Sequence, residues 1–351
     1  VDSKVKLGIS AAIVIFVVGS SLALSDKPLF SSDRADSRPS DVLRIGYFPN
    51  FNHAQAVIGV GNGDYQRELG NIRVERQIFN AGPAAVEALL ARQIDVAYVG
   101  PNPAINGYLA SEGQIKVIGG VSSGGAVFVV RNDAGIDSAD DLAGKRLASP
   151  QLGNTQDVSL RTFLHDNGYD VRLLGGDLQI VPAKPGDILT LMIKKEIDGA
   201  WVPEPWGARL VREANASIFL DERELWPEGK FSTSLIICRA DYLQSNPDTI
   251  KKLLSAHIEE TAWVNANKEE AIRAFNVEIE KIIGSEIPSE DLLDALGRME
   301  FTYDPLKESV SKSASDAFEV GLLGDVEPNL DGMFDLRLLN QVLVEKGLPA
   351  L

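Results

Sequence analysis

The chain has 351 residues, enough for two ordinary domains, and 44% of them are hydrophobic, so large cores can form and wholesale disorder is excluded. Lys and Arg number 34 against 50 Asp and Glu, a net charge of −16, which argues against a nucleic-acid binder, since such a protein needs a basic footprint. The acidic balance does not forbid a small anionic ligand, because one pocket can hold an anion by local dipoles.

Lys4 and Lys6 precede an uncharged apolar run from Leu7 to Leu24. As a helix it would reach roughly 27 Å, about one hydrocarbon core. It reads as a signal peptide with Ser21-Leu22-Ala23 as cleavage site, or as an uncleaved membrane anchor, which its length favours. Either places the remainder outside the cytoplasm. No cysteine follows the run, so lipid attachment at a cysteine is not expected; the single Cys238, in "SLIIC", reads as a small buried hydrophobe. Residues 25–41, rich in Ser, Asp and Pro, read as a flexible linker.

From Val42 short apolar runs alternate with helical stretches. "LRIGYF" is a strand, "AQAVIGVGNG" a helix, "IRVERQIF" a strand, "GPAAVEALLARQ" a helix with Pro83 near its start, "IDVAYVG" a strand and "NPAINGYLASEG" a helix. "IKVIGGV" and "AVFVVR" are further strands. The plan then repeats: "KRLASP", "TQDVSLRTFLHDNG", "LQIVPA", "PGDILTLMIKKE" and "IDGAWVPEPW". Pro49 and Gln55 correspond to Pro150 and Gln156, Pro83 to Pro185, and Asp95 to Asp198, an offset that drifts only from 101 to 103 residues. Two related α/β lobes are expected, each a sheet flanked by helices. Residues 240–351 read as mostly helical, without a strand plan of their own, and should pack back on the first lobe with "SLIICR" as the returning strand. The expected division is lobe 1 at 42–131 and 234–351, and lobe 2 at 132–233.

In open α/β sheets ligands bind outside the carboxyl ends of the strands. Two such edges facing each other would form a cleft. The first strand of each lobe exits into a polar loop at a helix start: Asn52, His53 and Gln55 in one, Asn154, Thr155 and Gln156 in the other. Helix N-termini favour an anion, so the pair would clamp a small acid without Lys or Arg. Ser122 and Ser123 add hydroxyl donors. Trp201 and Trp206 flank Glu204, a set suited to an alkyl chain or an ammonium, and hence to a zwitterion. His53, His165 and His257 show no ligand spacing, so no metal is expected.

"LRIGYFPNFNHAQAVIG", "FNAGPAAVEALLARQIDVAYVGPNPAINGY" and "SPQLGNTQDVSLRTFL" closely resemble the solute-binding proteins of ABC importers in the aliphatic sulfonate, taurine and nitrate group. The resemblance implies a two-lobe periplasmic-binding-protein-like (type II, Venus-flytrap) α/β fold, a membrane permease as partner, no cofactor and a monomeric state. It places cleft loops on Asn52, His53 and Gln55, on Gly100 and Pro101, on Ser122 and Ser123, and on Asn154, Thr155 and Gln156, with Trp201 and Glu204 near the pocket. A sulfonate, either an alkanesulfonate or taurine, is the first expectation for the solute. Nitrate or bicarbonate is the alternative, as is a thiamine-pyrimidine precursor, whose binding proteins and synthases "GYFPNFNH" also resembles. An enzyme on the same fold is a further reading, but no nucleophile–base spacing stands out.

Overall fold

The computed structural model describes residues 41–171 and 178–351; the apolar N-terminal run lies outside them, as does all of the linker but Asp41. The chain runs β1 (Val42–Tyr47), α1 (Ala54–Gly61), α2 (Asp64–Leu69), β2 (Arg73–Ile78), α3 (Gly82–Leu90), β3 (Val96–Val99), α4 (Pro101–Ala110), β4 (Ile115–Gly124), β5 (Ala126–Arg131), β6 (Arg146–Ser149), α5 (Thr155–Asp166), β7 (Gln179–Pro182), α6 (Pro185–Ile193), β8 (Gly199–Pro203), α7 (Trp206–Glu213) and β9 (Ala216–Asp221). It continues through β10 (Ser232–Arg239), α8 (Ala240–Ser245), α9 (Pro247–Ala266), α10 (Lys268–Ile283), α11 (Ser289–Leu296), β11 (Met299–Phe301), α12 (Lys307–Glu319) and α13 (Arg337–Glu345). Among the described residues no helix is long and apolar enough to cross a membrane.

Two sheets form, ordered β11-β4-β10-β3-β1-β2 and β7-β6-β8-β5-β9. The repeat read in the sequence is realised strand for strand. In each sheet one strand (β1 or β6) lies parallel to both its neighbours, and an antiparallel strand (β10 or β5) follows β3 or β8. Helices cover both faces: Leu43, Ile58, Ile250 and Phe275 pack on one side of the first sheet, Leu89, Val99, Ile105 and Ile237 on the other.

The strand β5 corrects the expected lobe boundary. It was placed with lobe 1, yet among the described residues it pairs only with β8 and β9, inside the second sheet. The chain therefore crosses at Gly124-Gly125, where both residues have φ of +73°, a region glycine adopts without strain. It returns between β9 and β10, and the two crossings touch through Gly124 N–H donating to Phe231 O at 3.2 Å. Each sheet thus receives its antiparallel strand directly from the other lobe. The C-terminal region carries one short strand, β11 on the edge of the first sheet, where none was expected.

The repeated Ile-Asp pair has a structural role. Asp95 Oδ2 accepts from Arg44 N–H at 2.9 Å and Asp198 Oδ2 from Arg146 N–H at 2.8 Å, so each carboxylate fastens the first half of its lobe's first parallel strand, β1 or β6. The last residue of the antiparallel strand completes each clip. Arg239 donates to Ile94 O and sits 3.6 Å from Asp95; Arg131 donates to Ile197 O and sits 2.9 Å from Asp198. Asp198→Ala should therefore lower stability by roughly 1 kcal/mol, because the Arg146 N–H loses its acceptor while Arg131 keeps Asp133 as a second carboxylate partner. Urea denaturation would measure it, and a loss within 0.5 kcal/mol would deny the clip any role.

Candidate functional site

Every parallel strand delivers its carboxyl end to one place. Between the lobes lies a cavity whose wall takes Phe48 and Asn50 from beyond β1, Asn80 and Ala81 from beyond β2, and Gly100 from beyond β3. The second lobe contributes Pro150 beyond β6, Pro185 beyond β7 and Pro203 at the end of β8. Its volume is about 30 Å³, a narrow gap between the lobes.

Five helices start at this wall. His53 precedes α1, Ala81 caps α3, Gly100 caps α4, Asn154 caps α5 and Pro185 opens α6. Their N-terminal dipoles supply partial positive charge. Among the described residues no Lys, Arg, Asp or Glu is in the lining. His53 adds no formal charge either, since burial holds its imidazole down at about 3. Phe48 N–H faces His53 Nδ1 at 3.4 Å, so the neutral ring carries its proton on Nε2 and is a donor there. Thr155 Oγ1 and Ser234 Oγ are buried without a partner among the described residues. The wall is therefore a neutral, donor-rich shell with positive potential, suited to a small anion and lacking the counter-charge a cation needs.

The second-lobe loop is shaped by its own side chains. Asn154 Oδ1 accepts from Asp157 N–H at 2.9 Å, and Asp157 accepts in return from Gly153 N–H at 2.9 Å. Asp157 also accepts from Ser149 Oγ and Arg161 Nε. Asn154 is thus a helix cap as well as a wall residue.

Of the residues singled out in the sequence, Asn52, His53, Gly100, Asn154, Thr155 and Gln156 line the cavity. The others stand elsewhere. Gln55 is buried with its amide donating to Val121 O and Thr261 Oγ1. Pro101 begins α4 beside Gly100 but is not in the wall. Ser122 and Ser123 lie in β4 paired with β10 and β11, and Ser123 Oγ accepts from Phe231 N–H.

Trp201 and Glu204 need correction as pocket residues. Trp201 is wholly buried in the second lobe, stacked on Phe128 at 5.5 Å and donating from Nε1 to Glu222 at 2.6 Å. Glu204 is also wholly buried, but its carboxylate meets the Arg298 guanidinium at 2.7 Å and accepts from Ala208 N–H. Neither offers a surface to an alkyl chain or an ammonium in the cavity. Trp206 instead reaches across the lobes, with Nε1 donating to Asn50 Oδ1 at 3.2 Å.

Asn50, Asn80, Thr233 and Ser234 are wall residues that sequence reasoning missed. The loop after β2 could have been found, because it ends at the same sheet edge as the loops after β1 and β3. Thr233 and Ser234 could not, because they sit at the beginning of an antiparallel strand, and the carboxyl-end rule looks only at strand ends.

A model of the NMT1-like family matches residues 36–277. A Brucella abortus protein named as a candidate binding protein is 25% identical over 282 residues, 78% of this chain and 84% of that protein. The nitrate/nitrite binding protein of Nostoc sp. is 29% identical over 162 residues, 43% of this chain and 35% of that protein. The alkanesulfonate-binding protein of Xanthomonas axonopodis bound to MOPS superposes with a TM-score of 0.72 at 17% identity, covering 85% of this chain and 99% of that one. The periplasmic nitrate-binding protein of Synechocystis gives 0.72 at 17% identity, over 87% and 89%. The two-lobe periplasmic-binding-protein fold expected from the sequence is thus the fold observed.

Proposed function

Because the chain belongs to the NMT1-like family, we propose that it is an extracytoplasmic solute-binding protein that encloses a small oxyanion between its lobes and hands it to an ABC permease. The observation that carries this reading is the convergence of five helix starts on a cavity between the lobes with no charged side chain among the described residues of its lining. Relatives named for nitrate and for alkanesulfonates support an anionic solute. The size of the cavity favours the small end of that range, near nitrate or methanesulfonate, over taurine or a bulky buffer sulfonate. The two residues that made taurine attractive, Trp201 and Glu204, are core and ion-paired respectively, so no carboxylate in the described lining calls for an ammonium.

A thermal-shift panel tests the proposal. Small oxyanions should raise the melting temperature, since a solute at a hundred times its Kd adds about 2.7 kcal/mol of stability. Taurine and MOPS should have little effect. Stabilisation by taurine or MOPS together with silence from the small oxyanions would reverse the size assignment.

A further inference from the structure

Taking the cavity as an anion site, we infer that Asn52 selects solutes that carry a hydrogen-bond donor beside their anionic oxygens. Asn52 lines the cavity and is 1% exposed. It stands in the short turn Phe51–His53 that leads into α1. Its Nδ2 donates to Gly124 O at 3.4 Å and Gly125 O at 3.2 Å, the two carbonyls of the crossing between β4 and β5. Both partners are acceptors, so the amide cannot turn over: reversed, it would set an oxygen against two oxygens. The Oδ1 is consequently fixed in identity, and it is buried without a partner among the described residues. A buried acceptor left unpaired is costly.

The other unpaired groups of the wall adapt. The Thr155 and Ser234 hydroxyls can donate to an anion. Of these buried, unpartnered atoms Asn52 Oδ1 alone can only accept. A solute that satisfies the whole wall therefore presents oxygens to the donors and one O–H or N–H to Asn52. An aprotic oxyanion such as nitrate leaves that acceptor unpaired and brings a negative oxygen toward it.

Two matched pairs isolate this property. Bicarbonate and nitrate are planar, singly charged and alike in size, and only bicarbonate has an O–H. Sulfamate and methanesulfonate differ in an amino group replacing a methyl. Calorimetric titration of the full chain should show the donor-bearing member of each pair binding at least about tenfold tighter. In Asn52→Leu the ratio should fall to near one. Thr233→Val removes a different bond to the same crossing, from Thr233 Oγ1 to Gly124 O. It should weaken both members alike and leave the ratio intact. Equal binding within the pairs, or a ratio that survives in Asn52→Leu, would overturn the role of Asn52 while leaving the anion site standing. If none of the four binds, the anion reading itself falls, and this role with it.

Discussion

Gly100→Ala is expected to cut solute affinity roughly 10- to 100-fold, the scale of a methyl forced into a packed contact, while leaving both lobes folded. Gly100 caps α4 on the first lobe with φ −70° and ψ 163°, a conformation that alanine adopts freely. The added Cβ would stand 2.3 Å from Thr155 Oγ1 and 3.3 Å from Thr155 Cβ, on the second lobe. The penalty thus falls on the meeting of the lobes, and solute contacts from both sides are lost together. Thr155→Ala in the same chain removes the nearest atom and should recover part of the affinity. Calorimetry on the two single variants and the double one gives the coupling directly. Wild-type affinity in Gly100→Ala would mean that solute is held with the lobes further apart than they stand in this structure.

Arg298→Met should lower stability by about 3–5 kcal/mol, because it strands a buried carboxylate. Glu204 on the second lobe is wholly buried, and Arg298 from the C-terminal region meets it with Nε at 2.8 Å and Nη2 at 2.7 Å. Burial pushes the Glu204 carboxyl upward and Arg298 opposes that push. Without Arg298 the carboxyl rises further, so the folded chain binds a proton that the unfolded chain releases. Stability is then regained as pH falls and lost as pH rises through the folded-state value. Denaturation midpoints at acid and neutral pH should show a loss that shrinks on acidification. Glu204→Gln in the same background should restore much of it. A loss independent of both pH and Glu204 would mean that Arg298 acts through packing alone.

Much of the fold was legible because the repeat is periodic. Strand and helix signals recur with a nearly constant offset, and the loops after β1 and β6 announce themselves by Asn, Thr and Gln at helix starts. What failed was information held in other parts of the chain. The sheet to which β5 belongs is decided by pairing with β8 and β9, not by its own apolar residues. The strand β8 is buried on both faces, so no alternation distinguishes Trp201, which faces Phe128, from a residue facing solute. Glu204 looked available for a ligand because Arg298 lies 94 positions away.

The paired crossings at Gly124-Gly125 and before β10 bear on how the molecule moves. Two covalent links side by side set a line about which the lobes can turn, and the Arg298–Glu204 and Arg212–Asp291 pairs bridge the same lobes alongside it. Distances measured across the opposite rim should then report the whole of that motion along one coordinate.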